Sequence, residues 1–183
     1  MEVQETLTKT SWAIDHTHTT IEFKVKHLMI SNVKGSFMDF GADIYTDGND
    51  FTTCEIDFWL NPASIQTGDS NRDAHLKSAE FFDVAKYKKI LFVGESMVRK
   101  DKIDSYELFG ELTIKGISKK IKLNVDFGGN ATDRGTEKVG FSTTGSINRS
   151  EWGLIWNTSL ESGGLLVSDE ILINCDLELS KEA

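Results

Sequence analysis

The chain has 183 residues, of which 39% are hydrophobic and 27% charged, enough apolar material for one large domain with a buried core. A formal net charge of −9 with no basic block argues against a nucleic-acid backbone as partner, and the same sign disfavours docking on an anionic membrane face. The opening MEVQETLTKTSW carries no apolar leader and no later stretch reaches membrane-spanning length, so the chain as it stands is expected in the cytoplasm; a leader removed from upstream would make it periplasmic.

The dominant period along the chain is two, the mark of strands with one buried face. TIEFKVKH alternates Ile21, Phe23 and Val25 against Glu22, Lys24 and Lys26. In VKGSFMDFGADI the inward set Val33, Gly35, Phe37 gives way to Phe40, Ala42, Ile44, a parity flip that predicts a β-bulge near Met38 and Asp39. CEIDFWL (54–60) sets Ile56, Phe58 and Leu60 on one face. DSNRDAHLKSAEFF then gives the best helix signal, with Asp69, Ser70 or Asn71 as its cap. Strand alternation resumes at 90–100, 104–116, 119–129, 138–149 and 168–179. Glycine and acidic or amide clusters at 46–50, 100–104, 114–120 and 128–135 separate these runs, so neighbours in sequence are expected to pair antiparallel. About eight strands with little helix to cover a sheet predict an all-β fold closed into an antiparallel barrel.

Candidate chemistry is thin. The four histidines, His16, His18, His27 and His75, form no HxxxH or HExxH spacing; an extended stretch would put His16 and His18 on one face and Asp15 on the other. No metal and no cofactor are expected. No GxSxG elbow singles out a nucleophilic serine. Cys54 and Cys175 lie far apart in apolar strand patterns and read as small core residues.

The lumen and its lid carry the stronger signal. Alternation points Ile21, Phe23, Val25, Phe37, Phe40, Phe58, Phe92, Phe109 and Phe141 into one interior, with Ile44 on the same side and His27 at a rim. Glycines inside the strands would leave space opposite those rings. A short helix from about Asn71 sets Leu76, Phe81 and Phe82 as a greasy face over the barrel, with Lys77 and Glu80 in water. On this reading Asp73 holds helix-end N–H groups and Arg72 makes a surface ion pair, while Arg72 and His75 remain candidates for head-group contact. Trp156 completes the candidate lining.

The motifs together resemble the YceI-like family. WAIDHTHTTIEFKVKH (12–27), VKGSFMDF (33–40), SIQT (64–67), RDAHL (72–76), FFDV (81–84) and GELTIKG (110–116) occur in the family's order, followed by GFS (140–142), NRSEWG (148–153) and VSDEI (167–171). Lys88 stands after Tyr87 where the family usually has proline, and Thr19 where it often has serine. The resemblance implies residues 1–11 as an extension and 12–183 as one domain, a lipocalin-like eight-stranded antiparallel barrel with a helix closing one end. It also implies that the lumen binds a long apolar molecule, typically a polyisoprenoid such as a quinone tail or its precursor, for carriage, storage or a stress response rather than catalysis. The rival expectations are a fatty-acid-type ligand, or a hydrolase or isomerase of an isoprenoid head group working through His27, Arg72 or His75. Homodimerisation is left open.

Overall fold

Alternation produces strands over most of the chain in the computed structural model, which describes residues 8–161 and 166–183. The strands are β1 (Lys9–Ile14), β2 (Thr20–His27), β3 (Ser31–Phe37), β4 (Phe40–Asp47), β5 (Asp50–Leu60), β6 (Ile65–Gln66), β7 (Ile90–Arg99), β8 (Ser105–Ile114), β9 (Ile117–Asp133), β10 (Thr136–Asn148) and β11 (Val167–Lys181). The helix α1 spans Ser70–Lys77. β1 starts at Lys9, within the stretch expected as an extension, and pairs Lys9 with Asp47.

Every ladder is antiparallel, and the order closes on itself because β1 pairs with both β4 and β11. β1 and β2 run along the same partner, β11, in one direction and act as a single interrupted strand. β3 and β4 likewise form one strand, broken at the predicted position. Eight staves therefore make a closed barrel, which removes every free sheet edge from the ring.

Both interruptions are stitched by side chains. At the first, buried Thr19 accepts from the Glu178 N–H (3.1 Å), and Asp15 N donates to the Glu178 carbonyl (2.8 Å). At the second, Met38 N and Asp39 N donate to Ser64 Oγ (3.1 and 3.0 Å) from the 3-10 turn Pro62–Ser64. The bulge thus costs no unpaired N–H, and Phe37 and Phe40 both end up buried.

Two expectations on the strands fail, one of boundary and one of facing. The glycine-rich stretch 128–135 is not a connection: β9 runs through it to Asp133, paired as Gly129 with Gly140 and Asn130 with Val139. The turn is confined to Arg134 and Gly135, both at positive φ. Phe109 does not face the lumen. In β8 the buried set is Tyr106, Leu108, Leu112 and Ile114, which forces Phe109 to the outer surface, 37% exposed.

The core is unequal along the barrel axis. Near the β4–β5 and β9–β10 turns, Trp12, Phe51, Phe127 and Phe141 pack ring to ring, with centroids 4.8–5.5 Å apart. That end is filled. The other end, under α1, is not.

Candidate lipid cavity

The helix that covers the unfilled end is built from local chemistry. Asp69 is its cap, accepting from Asn71 N (2.9 Å) and Arg72 N (3.0 Å), and these bonds lower the Asp69 pKa. Asp73, expected in that role, instead accepts from Thr67 N (3.0 Å) and Thr67 Oγ1 (2.6 Å). Among the described residues Arg72 makes no ion pair; its Nε and Nη2 donate to Thr67 Oγ1 (2.7 Å) and Thr67 O (2.8 Å). A one-turn loop separates Thr67 from the helix, so these bonds tie the helix to the strand it follows. The helix ends at Lys77, earlier than expected, and a chain of turns carries Phe81 and Phe82 back under it, with Phe82 N donating to Leu76 O (3.0 Å).

Beneath this lid lies a cavity of about 620 Å³, within the size range of small-molecule sites. Its wall is formed by Ile21, Phe23, Val25, His27, Phe37, Ile44, Phe58, Leu76, Phe81, Phe82, Phe92 and Trp156 from the expected set, with Arg72 and His75 at the lid. Three expected residues are not on it. Phe109 points outward. Phe141 belongs to the filled end, and Phe40 stacks behind Phe58 (6.4 Å) and against the edge of His16 (5.0 Å).

Rings do not block the lumen because glycines let them lie flat against the wall. The Phe23 ring covers Gly35, its cross-strand partner, and the Phe92 ring covers Gly110; a Cβ at either glycine would run into the ring. Apart from Glu22 and Thr143, the polar lining is gathered at the lid end: His27, Thr67, Asn71, Arg72, His75 and Arg149. His75 is pinned there, with Nε2 against Glu80 and its ring edge-on to Phe81 (5.1 Å) and Trp156 (4.7 Å).

Arg149 went unremarked as a site residue in the sequence. Its side chain is buried, 4% exposed, and although the Asp169 charge acts on it, no carboxylate among the described residues lies within ion-pair distance. Instead it donates to four backbone carbonyls: Nε to Ser168 (2.9 Å), Nη1 to Leu154 (2.6 Å) and Trp156 (2.9 Å), Nη2 to Val167 (3.4 Å). Burial pushes its pKa down. Arg149 and Asn157, whose amide bonds both N and O of Val167, fix Trp156 over the cavity. The only available signal was a lone arginine amid NRSEWG, with no periodicity to mark it as buried.

Other titratable groups offer little chemistry. Burial raises Cys54 and Cys175 to about 11, so both thiols stay protonated near neutrality. Asp15, His18 and Glu178 can each turn one ligand atom to within 4.8 Å of the others. The stretch is turned rather than extended, so Asp15 meets His18 (3.0 Å), contrary to the expected opposite facing. Lys138 Nζ stands 2.9 Å from both Asp15 and Glu178 and already supplies the positive charge between them.

A model of the YceI-like domain matches residues 12–179. The chain belongs to the YceI-like family. A UPF0312 protein of Staphylococcus aureus strain USA300 is 37% identical over 174 residues, covering 93% of this chain and 98% of that protein. Among solved structures, the YCEI protein of Campylobacter jejuni is 36% identical with a TM-score of 0.75, covering 86% of this chain and 90% of that one. A polyisoprenoid binding domain from Saccharophagus degradans is 16% identical with a TM-score of 0.67, covering 92% and 97%, and shares the fold. Both stitched strand interruptions, at 15–19 and 38–39, fall inside the residues matched to the YceI-like domain.

Proposed function

We propose that this YceI-like barrel holds one long apolar lipid of polyisoprenoid type, tail in the lumen and head towards α1, as a carrier or store rather than an enzyme. The observation that carries the reading is the cavity of about 620 Å³, mostly apolar in depth and with most of its polar lining at the lid. Each CH₂ withdrawn from water stabilises the complex by about 0.8 kcal/mol, so a tail needs no charged anchor in the depth. Likeness in fold to the Saccharophagus degradans polyisoprenoid binding domain supports the choice of ligand class. The lid charges are mostly committed to protein: Arg72 grips Thr67 and His75 grips Glu80. That favours a closing role over catalysis on a head group.

The test is direct. The protein, purified from its native host and denatured, is extracted with organic solvent and the extract analysed by mass spectrometry. A long isoprenoid in near-stoichiometric amount is expected. Recovery of fatty acids alone, or conversion of an added isoprenoid to a new product, would replace this reading with one of its rivals.

A further inference from the structure

The β2–β3 hairpin combines three features that the lipid cavity alone does not require. Its tip is Leu28, Met29 and Ile30, and the latter two are 57% and 84% exposed. Leu28 and Met29 hold φ of 53° and 61°, a region where glycine or asparagine is the ordinary choice and large apolar side chains are disfavoured. Neither the exposure nor the residue choice serves the barrel's own core.

The hairpin is also locally basic in an acidic protein. Lys24 and Lys34 face each other directly across the ladder, and Lys26 follows one step nearer the tip, opposite Asn32. Like charges in direct register repel unless an anion covers them. Among the described residues Lys24, Lys26 and Lys34 meet no carboxylate, as is also true of Lys119 on β9, whereas Lys120, Lys122, Lys138 and Lys181 each meet one. Of the acids near by, Glu22 is the next outward residue from Lys24 on the side away from the tip, opposite Ser36, Asp169 is bonded to Ser150, and Glu170 is exposed in the irregular start of β11.

This tip stands at the cavity. Leu28 N donates to Leu166 O (2.8 Å), and His27, Val33, Leu166 and Val167 all line the lumen. At the same end, Ile155 is 72% exposed between two lining residues, Leu154 and Trp156.

We propose that the hairpin tip and Ile155 form a docking lip for an anionic lipid bilayer. The apolar side chains enter the interface, the three lysines meet lipid phosphates, and the mouth of the cavity is brought to the surface from which a tail can pass. The bulk charge of −9 predicts repulsion from such a surface, but within a Debye length of about 8 Å the hairpin presents the opposite sign. The choice of a lipid surface rests partly on the lipid reading of the cavity, yet the two fail separately.

The full-length protein is sedimented with vesicles of phosphatidylcholine, with and without phosphatidylglycerol. Binding is expected only with phosphatidylglycerol and should weaken as salt rises. Met29→Ser with Ile30→Ser should lower the partition coefficient by about tenfold or more, and each of Lys26→Ser and Lys34→Ser by about fivefold. Melting temperature and uptake of a fluorescent isoprenoid in vesicle-free solution should not change. Uptake without vesicle binding sinks the lip and spares the cavity; tip-dependent vesicle binding without uptake does the reverse. Equal binding to both vesicles, or tip variants that bind like the native protein, overturn the proposal. So does a tip-dependent dimer in analytical ultracentrifugation, which would make the lip an interface between copies.

Discussion

His18 occupies the gap where the interrupted first stave leaves its neighbour, and its Nδ1 meets Asp15 at 3.0 Å with Glu178 at 3.7 Å. The hydrogen bond to Asp15, then the negative charges, raise its pKa, while the same bond and Lys138 lower that of Asp15. The two shifts act at opposite ends of one window. A raised histidine pKa contributes stability that is full below the unfolded value of about 6.5 and is lost as pH rises through the folded value; a lowered carboxylate pKa contributes above about 3.9 and is lost on acidification. His18→Gln should therefore be less stable than the native chain between roughly pH 4 and 6.5. The difference should vanish at alkaline pH, as read from urea midpoints across a pH series. A difference that persists unchanged at pH 9 would mean that the ring packs rather than pairs.

At the scale of elements, the strands show where alternation is enough and where it fails. β2 was readable because Ile21, Phe23 and Val25 have charged neighbours on the other face, and the bulge because the parity of Phe37 and Phe40 cannot otherwise be reconciled. Phe109 was misplaced by giving one ring more weight than the four apolar residues of opposite parity around it. The continuation of β9 through 128–133 was missed because its glycines look like a connection, whereas Gly129 faces Gly140 across the ladder and Gly128 sits at a register shift. Arg72 and Asp73 were misassigned for a different reason: their partner is Thr67, and nothing in a sequence reports which backbone a side chain will find.

The glycines under the rings give this element scale its test. At Gly110 a Cβ would meet the Val93 carbonyl at 2.5 Å as well as the Phe92 ring, and backbone cannot yield, so Gly110→Ala should cost about 1–3 kcal/mol. At Gly35 the obstacle is the Phe23 ring and, at 3.0 Å, a Thr67 methyl, all side chain. The ring can swing inward. Gly35→Ala should accordingly lose less stability than Gly110→Ala but lose isoprenoid uptake, because the ring then occupies lumen. Uptake equal to native in a folded Gly35→Ala protein would show that Phe23 does not set the width of the cavity.

For the molecule as a whole, strand parity tells which residues face inward but not whether they meet in the middle. The filled end and the hollow end are built from the same residue types; what separates them is that Phe51, Phe127 and Phe141 converge, while Phe23 and Phe92 lie back on glycine. Close packing is the ordinary state of an interior, so a large apolar void forfeits contacts that a ligand tail would restore. Anything that fills it binds the folded chain alone and stabilises by mass action, about 2.7 kcal/mol at a hundredfold excess over Kd. For a chain of this length that corresponds to a rise of roughly 5–10 °C in melting temperature. Protein refolded after solvent extraction should therefore melt lower than protein as isolated, and added long-chain isoprenoid should restore the difference. A water-soluble head-group analogue without a tail should not, since Arg72, His75 and Arg149 are already bonded to protein. Stabilisation by the head analogue and none by the bare tail would move the binding energy from the lumen to the lid.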